Sequence, residues 1–179
     1  MNVGKNTVIR LMIDAGKASV GHAESLAEKT GLSKLTGASP SAANFVREAS
    51  LSDLFETRSS ELAAIRADEP TRAFAAKMNE DHQKSSSELS MIVKPHVKET
   101  PLPFHLDGKH QGMVDKLKAL DGGAFTKQYR TDQVSAHKDA VSLFQRFADG
   151  GKDNALRAFA KKTLPILQAH LKMAQDLTK

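Results

Sequence analysis

Apolar positions return every three or four residues along four long stretches of the chain, the spacing of helices that bury one face. Over residues 40–67, at about 100° per residue, one stripe collects Phe45, Ala49, Ser52, Glu56, Ser59, Ala63 and Ala67, beside a second of Leu51, Phe55 and Leu62. Residues 70–93 put Phe74, Met78, Asp81, Ser85, Leu89 and Ile92 on a core face, with His82 at its edge. Residues 124–149 gather Phe125, Tyr129, Gln133, Ala136, Ala140, Leu143, Phe144 and Phe147, with His137 on the flank. The fourth stretch, capped by Asp153, turns Leu156, Phe159, Ala160, Thr163, Leu167, His170, Leu171, Ala174 and Leu177 inward. The pattern predicts an all-α protein built on a four-helix bundle.

The breaks between these stretches set the topology. Ser39-Pro40 reads as a helix start, with serine as N-cap and proline in the first turn. Asp68-Glu69-Pro70 makes a tight turn, and so does Asp149-Gly150-Gly151. Residues 94–107 hold Pro95, Pro101 and Pro103, which cannot lie inside a helix, so the second and third long helices are joined by a long crossing connection. One such crossover is a feature of ferritin-like bundles. Asp107-Gly108 starts a short helix through Val114, Leu117 and Leu120 that ends at Asp121-Gly122-Gly123. Pro165 falls inside the fourth pattern, where it should free the carbonyl of Lys161 and kink the helix. Residues 1–38 form an N-terminal extension and linker with short helical patterns, and residues 39–179 form the bundle domain.

Composition adds exclusions. Across 179 residues the hydrophobic fraction is 40% and the aromatic fraction 5%, with no tryptophan, which suits helices better than strands. The 26 basic and 21 acidic residues are interspersed, so the net charge of +5 describes a mixed surface rather than a nucleic-acid-binding stripe. The absence of cysteine removes disulfides, thiolate metal sites and cysteine nucleophiles. Arg10 and Asp14 interrupt the apolar run near the N-terminus before it reaches the length of a signal core, and no stretch is long enough for a membrane span. The expected location is the cytoplasm for the chain as it stands, or the periplasm or envelope if a signal has been removed.

The chemistry concentrates where the bundle should be apolar. Glu56, Asp81, His137 and His170 fall one on each long helix, with His82 next to Asp81. Buried carboxylates and imidazoles are costly unless paired or bound to a metal. Two readings stay open. Asp81 and His137 or His170 can form a buried hydrogen-bonded pair, with Tyr129 or Gln133 completing the network. Alternatively Glu56, Asp81, His82, His137 and His170 can hold a single iron, manganese or zinc ion, with Tyr129 and Gln133 behind them. The chain has no Glu-x-x-His pair, which counts against a di-iron centre. His105, Asp107 and His110 form a weaker cluster, His22 and His96 have no matching partners, and no phosphate loop, dinucleotide fingerprint or nucleophile elbow occurs.

The segment Phe74-Ala75-Ala76-Lys77-Met78-Asn79-Glu80-Asp81-His82 resembles the Phe-Ala-x-x-Met-x-x-Asp-His element of a bacterial ferritin-like family, domain of unknown function 4142, whose members often carry the description predicted outer membrane protein. Phe125-x-x-x-Tyr129 with His137 and Leu143-Phe144 is similar to its third-helix motif. Phe159-Ala160 with Leu164-Pro165-x-Leu167-x-x-His170-Leu171 is similar to its fourth. The resemblance spans about residues 42–178 and implies a ferritin-like bundle. Its characteristic positions fall on Asp81, His82, Tyr129, His137 and His170, with Glu56 a looser match. The family implies no established activity. The expectation is therefore a non-enzymatic bundle protein of stress or envelope physiology, acting through an unknown protein partner or self-association; the alternative is a metal-handling or redox protein.

Overall fold

The computed structural model describes residues 37–96 and 101–179, without the side chain of His96, and all regular structure among them is helical. The helices are α1 (Ala42–Arg66), α2 (Glu69–Val93), α3 (Gly108–Lys118), α4 (Gly122–Gly150) and α5 (Asn154–Asp176), with a 3-10 turn over Lys94–His96. The expected extension lies outside the described residues except for Gly37 and Ala38.

Short polar side chains start four of the five helices. Ser41, Asp68, Asp107 and Asp153 accept hydrogen bonds from the backbone N–H groups of Asn44, Thr71, His110 and Leu156, each satisfying a donor that the first turn leaves free. The first of these is a correction. Ser41, not Ser39, is the N-cap of α1, and Pro40 lies before it, buried, where with buried Phe45 it occupies the two positions of a hydrophobic staple. Two glycines meet real backbone demands. Gly122 has φ +55°, the left-handed region, at the tight start of α4. At Gly151, which ends α4, a Cβ would lie 2.6 Å from the carbonyl oxygen of Phe147.

Helix α1 packs against α2, α3 and α4, and α5 packs against α2 and α4. Matching residues give the directions. Phe45 stacks on Phe147 while Ser60 meets Tyr129, so α1 and α4 are antiparallel; Lys162 meets Glu88 while His170 meets Asp81, so α2 and α5 are antiparallel. Two hairpins, α1/α2 and α4/α5, are therefore joined by a connection that must return along the bundle, and α3 lies on that return against α1. The α3 contact explains why α1 buries two faces: Leu51 and Phe55 are covered as well as Phe45 and Ala49. Helix α5 continues through Pro165.

The core has three layers. One end is aromatic: Phe45 stacks on Phe147 with centroids 4.0 Å apart and meets Phe144 edge-on at 5.0 Å, and Phe159 closes the group at 5.8 Å from Phe144. The other end holds Phe74, Met78, Leu117, Phe125 and Tyr129 among small residues. Between them lies a belt of buried polar side chains: Asp53, Glu56, Ser59, Ser60, His82, Gln133, His137 and His170.

Candidate metal centre

The belt is assembled by all four long helices, each of which places one or more polar residues at its midpoint. The placement on α2 corrects the sequence expectation. His82, 2% exposed, sits at the centre of the buried face with Phe74, Ala75, Met78, Leu89 and Val93, whereas Asp81 is at the boundary and is not a central residue. One helical step is about 100°, so a small error in phase exchanges neighbouring residues between core and rim. His137, expected on a flank, is 1% exposed. Glu56 and His170 are buried as expected.

The rings of His82, His137 and His170 pack mutually, with centroids 5.5 to 5.6 Å apart, and one ligand atom from each lies within 4.8 Å of the others. Each ring is held from behind. His82 Nδ1 donates to Asp53 Oδ1 at 2.7 Å, His137 Nδ1 to the backbone carbonyl of Gln133 at 2.9 Å, and His170 Nε2 to Asp81 Oδ2 at 2.9 Å. The partners are carboxylate or carbonyl oxygens, which accept, so in the neutral, ligating form of each imidazole these bonds select the tautomer. The lone pairs then fall on His82 Nε2, His137 Nε2 and His170 Nδ1. Those three atoms are buried and have no hydrogen-bond partner among the described residues.

Support continues outward. Ser86 donates to the second oxygen of Asp53 at 3.2 Å, and Lys77 holds Asp81 from the solvent side at 2.6 Å. Gln133 donates to Ser59, and Ser60 shares a 3.0 Å hydrogen bond with Tyr129. Of the expected network, the Asp81–His170 bond forms, Gln133 contributes its backbone carbonyl to His137, and Tyr129 is spent on Ser60. The amide oxygen of Gln133 is unsatisfied among the described residues, and so is Glu56. It is 1% exposed, its nearer oxygen is 3.8 Å from His137 Nδ1, and neither oxygen has a hydrogen-bond partner among the described residues.

Electrostatics follow from this burial. Desolvation pushes the Glu56 carboxyl up to about 7, against the pull of His82. Burial and the neighbouring His82 charge depress His137 to about 3, and burial depresses His170 to about 4 against the Asp81 hydrogen bond. Burial also works against a charged His82, but the Asp53 hydrogen bond and charge, with Glu56 and Asp81, outweigh it and raise that imidazole. Asp81 is likewise held low: burial opposes the charge, and Lys77 and His170 overcome it.

Asp53 is the participant that periodicity missed. It is 4% exposed and anchors His82. It lies three residues before Glu56, so the spacing Asp53-x-x-Glu56 already put two acids on adjoining faces of one buried helix. The loop cluster has a local use instead: Asp107 caps α3 by accepting from both the backbone N–H and Nδ1 of His110, whose ring lies beside Phe55, while His105 is exposed. His22 lies outside the described residues.

A bundle whose midpoint carries three outward-anchored imidazoles with inward lone pairs has the donor set of a mononuclear metal site. The chain belongs to the family described as Domain of unknown function (DUF4142), which matches residues 26–177. No curated protein and no solved structure matches it.

Proposed function

We propose that this is a metal-binding helical bundle of ferritin-like type, in which His82, His137 and His170 ligate one transition-metal ion. The observation that carries the reading is the set of three buried imidazole nitrogens with no partner. Three buried imidazole nitrogens close together forgo their hydrogen bonds, and a cation bound to the neutral rings supplies the missing partner to all three at once. The acceptors behind the rings match the outer partners that metal-ligating histidines need to fix tautomer and orientation.

An ion held tetrahedrally at about 2.1 Å has ligands about 3.4 Å apart. With one ring nitrogen of each histidine already within 4.8 Å of the others, such a set needs to draw together by no more than about 1.4 Å to meet that spacing. Imidazole ligands favour zinc or ferrous iron over manganese, which prefers oxygen. Glu56 supplies a nearby carboxylate whose ionised form a divalent ion would favour, so binding releases a proton. Asp53 and Asp81 position the rings and do not themselves ligate. Nothing in this set provides the paired bridging carboxylates of a di-iron centre, so metal handling or a one-metal redox role fits better than di-iron oxidation.

A second reading is a purely structural polar belt in a bundle that works through its surface. The Asp81–His170 and Asp53–His82 bonds support it, but it leaves the three nitrogens and Glu56 without partners. Metal content of untagged full-length protein separates the two. Near-stoichiometric zinc or iron is expected, together with stabilisation on adding metal of about 2.7 kcal/mol at a hundredfold excess over Kd, or about 5–10 °C in Tm for a chain of this size. His137→Gln should abolish that shift. Substoichiometric metal with no shift in the parent protein overturns the proposal.

A further inference from the structure

The centre lies beside an opening. Between α2 and α5 a groove of about 360 Å³ is lined by His82 and His170, with Lys77, Lys84 and Lys162 around it and Ile166 on one wall. Neither His137 nor Glu56 lines it. The groove therefore reaches the three-histidine cluster past His82 and His170, and not past His137 or the buried carboxylate. Its volume is at the small end of ligand pockets.

The charge around it is suited to a small anion. Lys77 is bonded to Asp81, Lys162 to Glu88 and Lys84 to Glu80, yet each ammonium has three donors, so donors remain on all three. Two acids, Asp81 and Glu88, line the groove against three lysines. Three neutral imidazoles leave a divalent ion with its charge uncompensated on the groove side, and a site with three protein ligands keeps a position for an outside molecule.

Resting on the metal reading above, we infer that the α2/α5 groove is the open coordination position of the centre, taking a small anion of acetate or azide size as fourth ligand to the ion. The lysines draw the anion in, and Ile166, 44% exposed on the wall, limits its size. The site is then of the open kind, able to engage a dissolved small molecule, and not a closed structural site.

Cobalt(II) loaded into the full chain provides the test, because its visible bands report coordination. Titration with acetate or azide should change the bands saturably at one anion per ion. Ile166→Trp should weaken the anion at least tenfold while cobalt affinity is retained, and Lys84→Gln with Lys162→Gln should weaken it several-fold. Ile65→Trp, at an exposed position outside the groove, should leave the response unchanged. Cobalt bands that ignore both anions, or that respond identically in the parent and Ile166→Trp, overturn the open position while the metal reading stands. Failure of the parent protein to bind cobalt overturns both.

Discussion

The aromatic end of the bundle and its polar belt are built from the same helices a few turns apart, yet they solve opposite problems. At the aromatic end Phe45, Phe144, Phe147 and Phe159 fill space with rings that carry no polar atom, so close packing alone satisfies them. In the belt, packing density is not enough, because every nitrogen and oxygen removed from water needs a partner. Most find one. The exceptions are concentrated: the three histidine nitrogens, both oxygens of Glu56 and the amide oxygen of Gln133 have none among the described residues. One region is optimised for stability, and the other carries a cost that a bound cation would remove.

Substitutions can set the two regions apart. The largest loss is expected from Phe45→Ala, about 3–5 kcal/mol by urea unfolding, equal with and without metal because the ring stack is independent of the belt. A loss that changed on adding zinc would show the two regions to be coupled.

Glu56→Gln should act in the opposite direction on metal-free protein. Because the folded carboxyl titrates near 7 and its ordinary value is 4.5, the folded state holds a proton that the unfolded state has lost between those values. Stability must therefore fall as pH rises through that window, and the penalty is complete above it, on the order of 3 kcal/mol. The glutamine variant should recover this at pH 8 and gain nothing at pH 4. His137 and His170, depressed to about 3 and 4, pull the other way: their contribution is present above 6.5 and is lost as the pH falls toward those values. The difference between variant and parent cancels the His137 and His170 background, while His82, which the Glu56 charge helps to raise, titrates lower in the variant. Parallel stability profiles from pH 4 to 8 would show that Glu56 is not desolvated.

Asp53→Asn tests the support behind the metal. Loss of the carboxylate behind His82 should weaken zinc or iron about 10- to 100-fold by calorimetry. Unchanged affinity would mean that the Asp53–His82 bond serves the fold alone. The smallest effect belongs to Ile65→Gln, at a side chain 82% exposed, where unfolding should shift by no more than about 0.5 kcal/mol in either metal state.

Much of the fold was legible from periodicity and punctuation. The expected helices correspond to α1, α2, α4 and α5, Asp107 and Asp153 stand at helix starts as expected, and the proline-rich stretch marks the crossing connection. The centre was legible in its residue types but not in its arrangement. Asp81 and His82 are adjacent, and a stripe drawn from Phe74 and Met78 points as well to one as to the other; only the packing of α2 against α1 and α5 made His82 central and left Asp81 between Lys77 and His170. Asp53 escaped notice because it stands off the single stripe drawn through Glu56, and its burial requires contacts on more than one side of α1.

By itself, then, the sequence determined an all-helical bundle with a set of acids and histidines along its long helices, because the 3.6-residue period and capping chemistry are local properties. Tertiary structure decided which nitrogen of each imidazole is spent and which is free. For His82 and His170 that choice depends on acceptors 29 and 89 residues away along the chain, at Asp53 and Asp81, which only the assembled bundle brings within hydrogen-bond reach, whereas the carbonyl of Gln133 that orients His137 lies one turn back on the same helix.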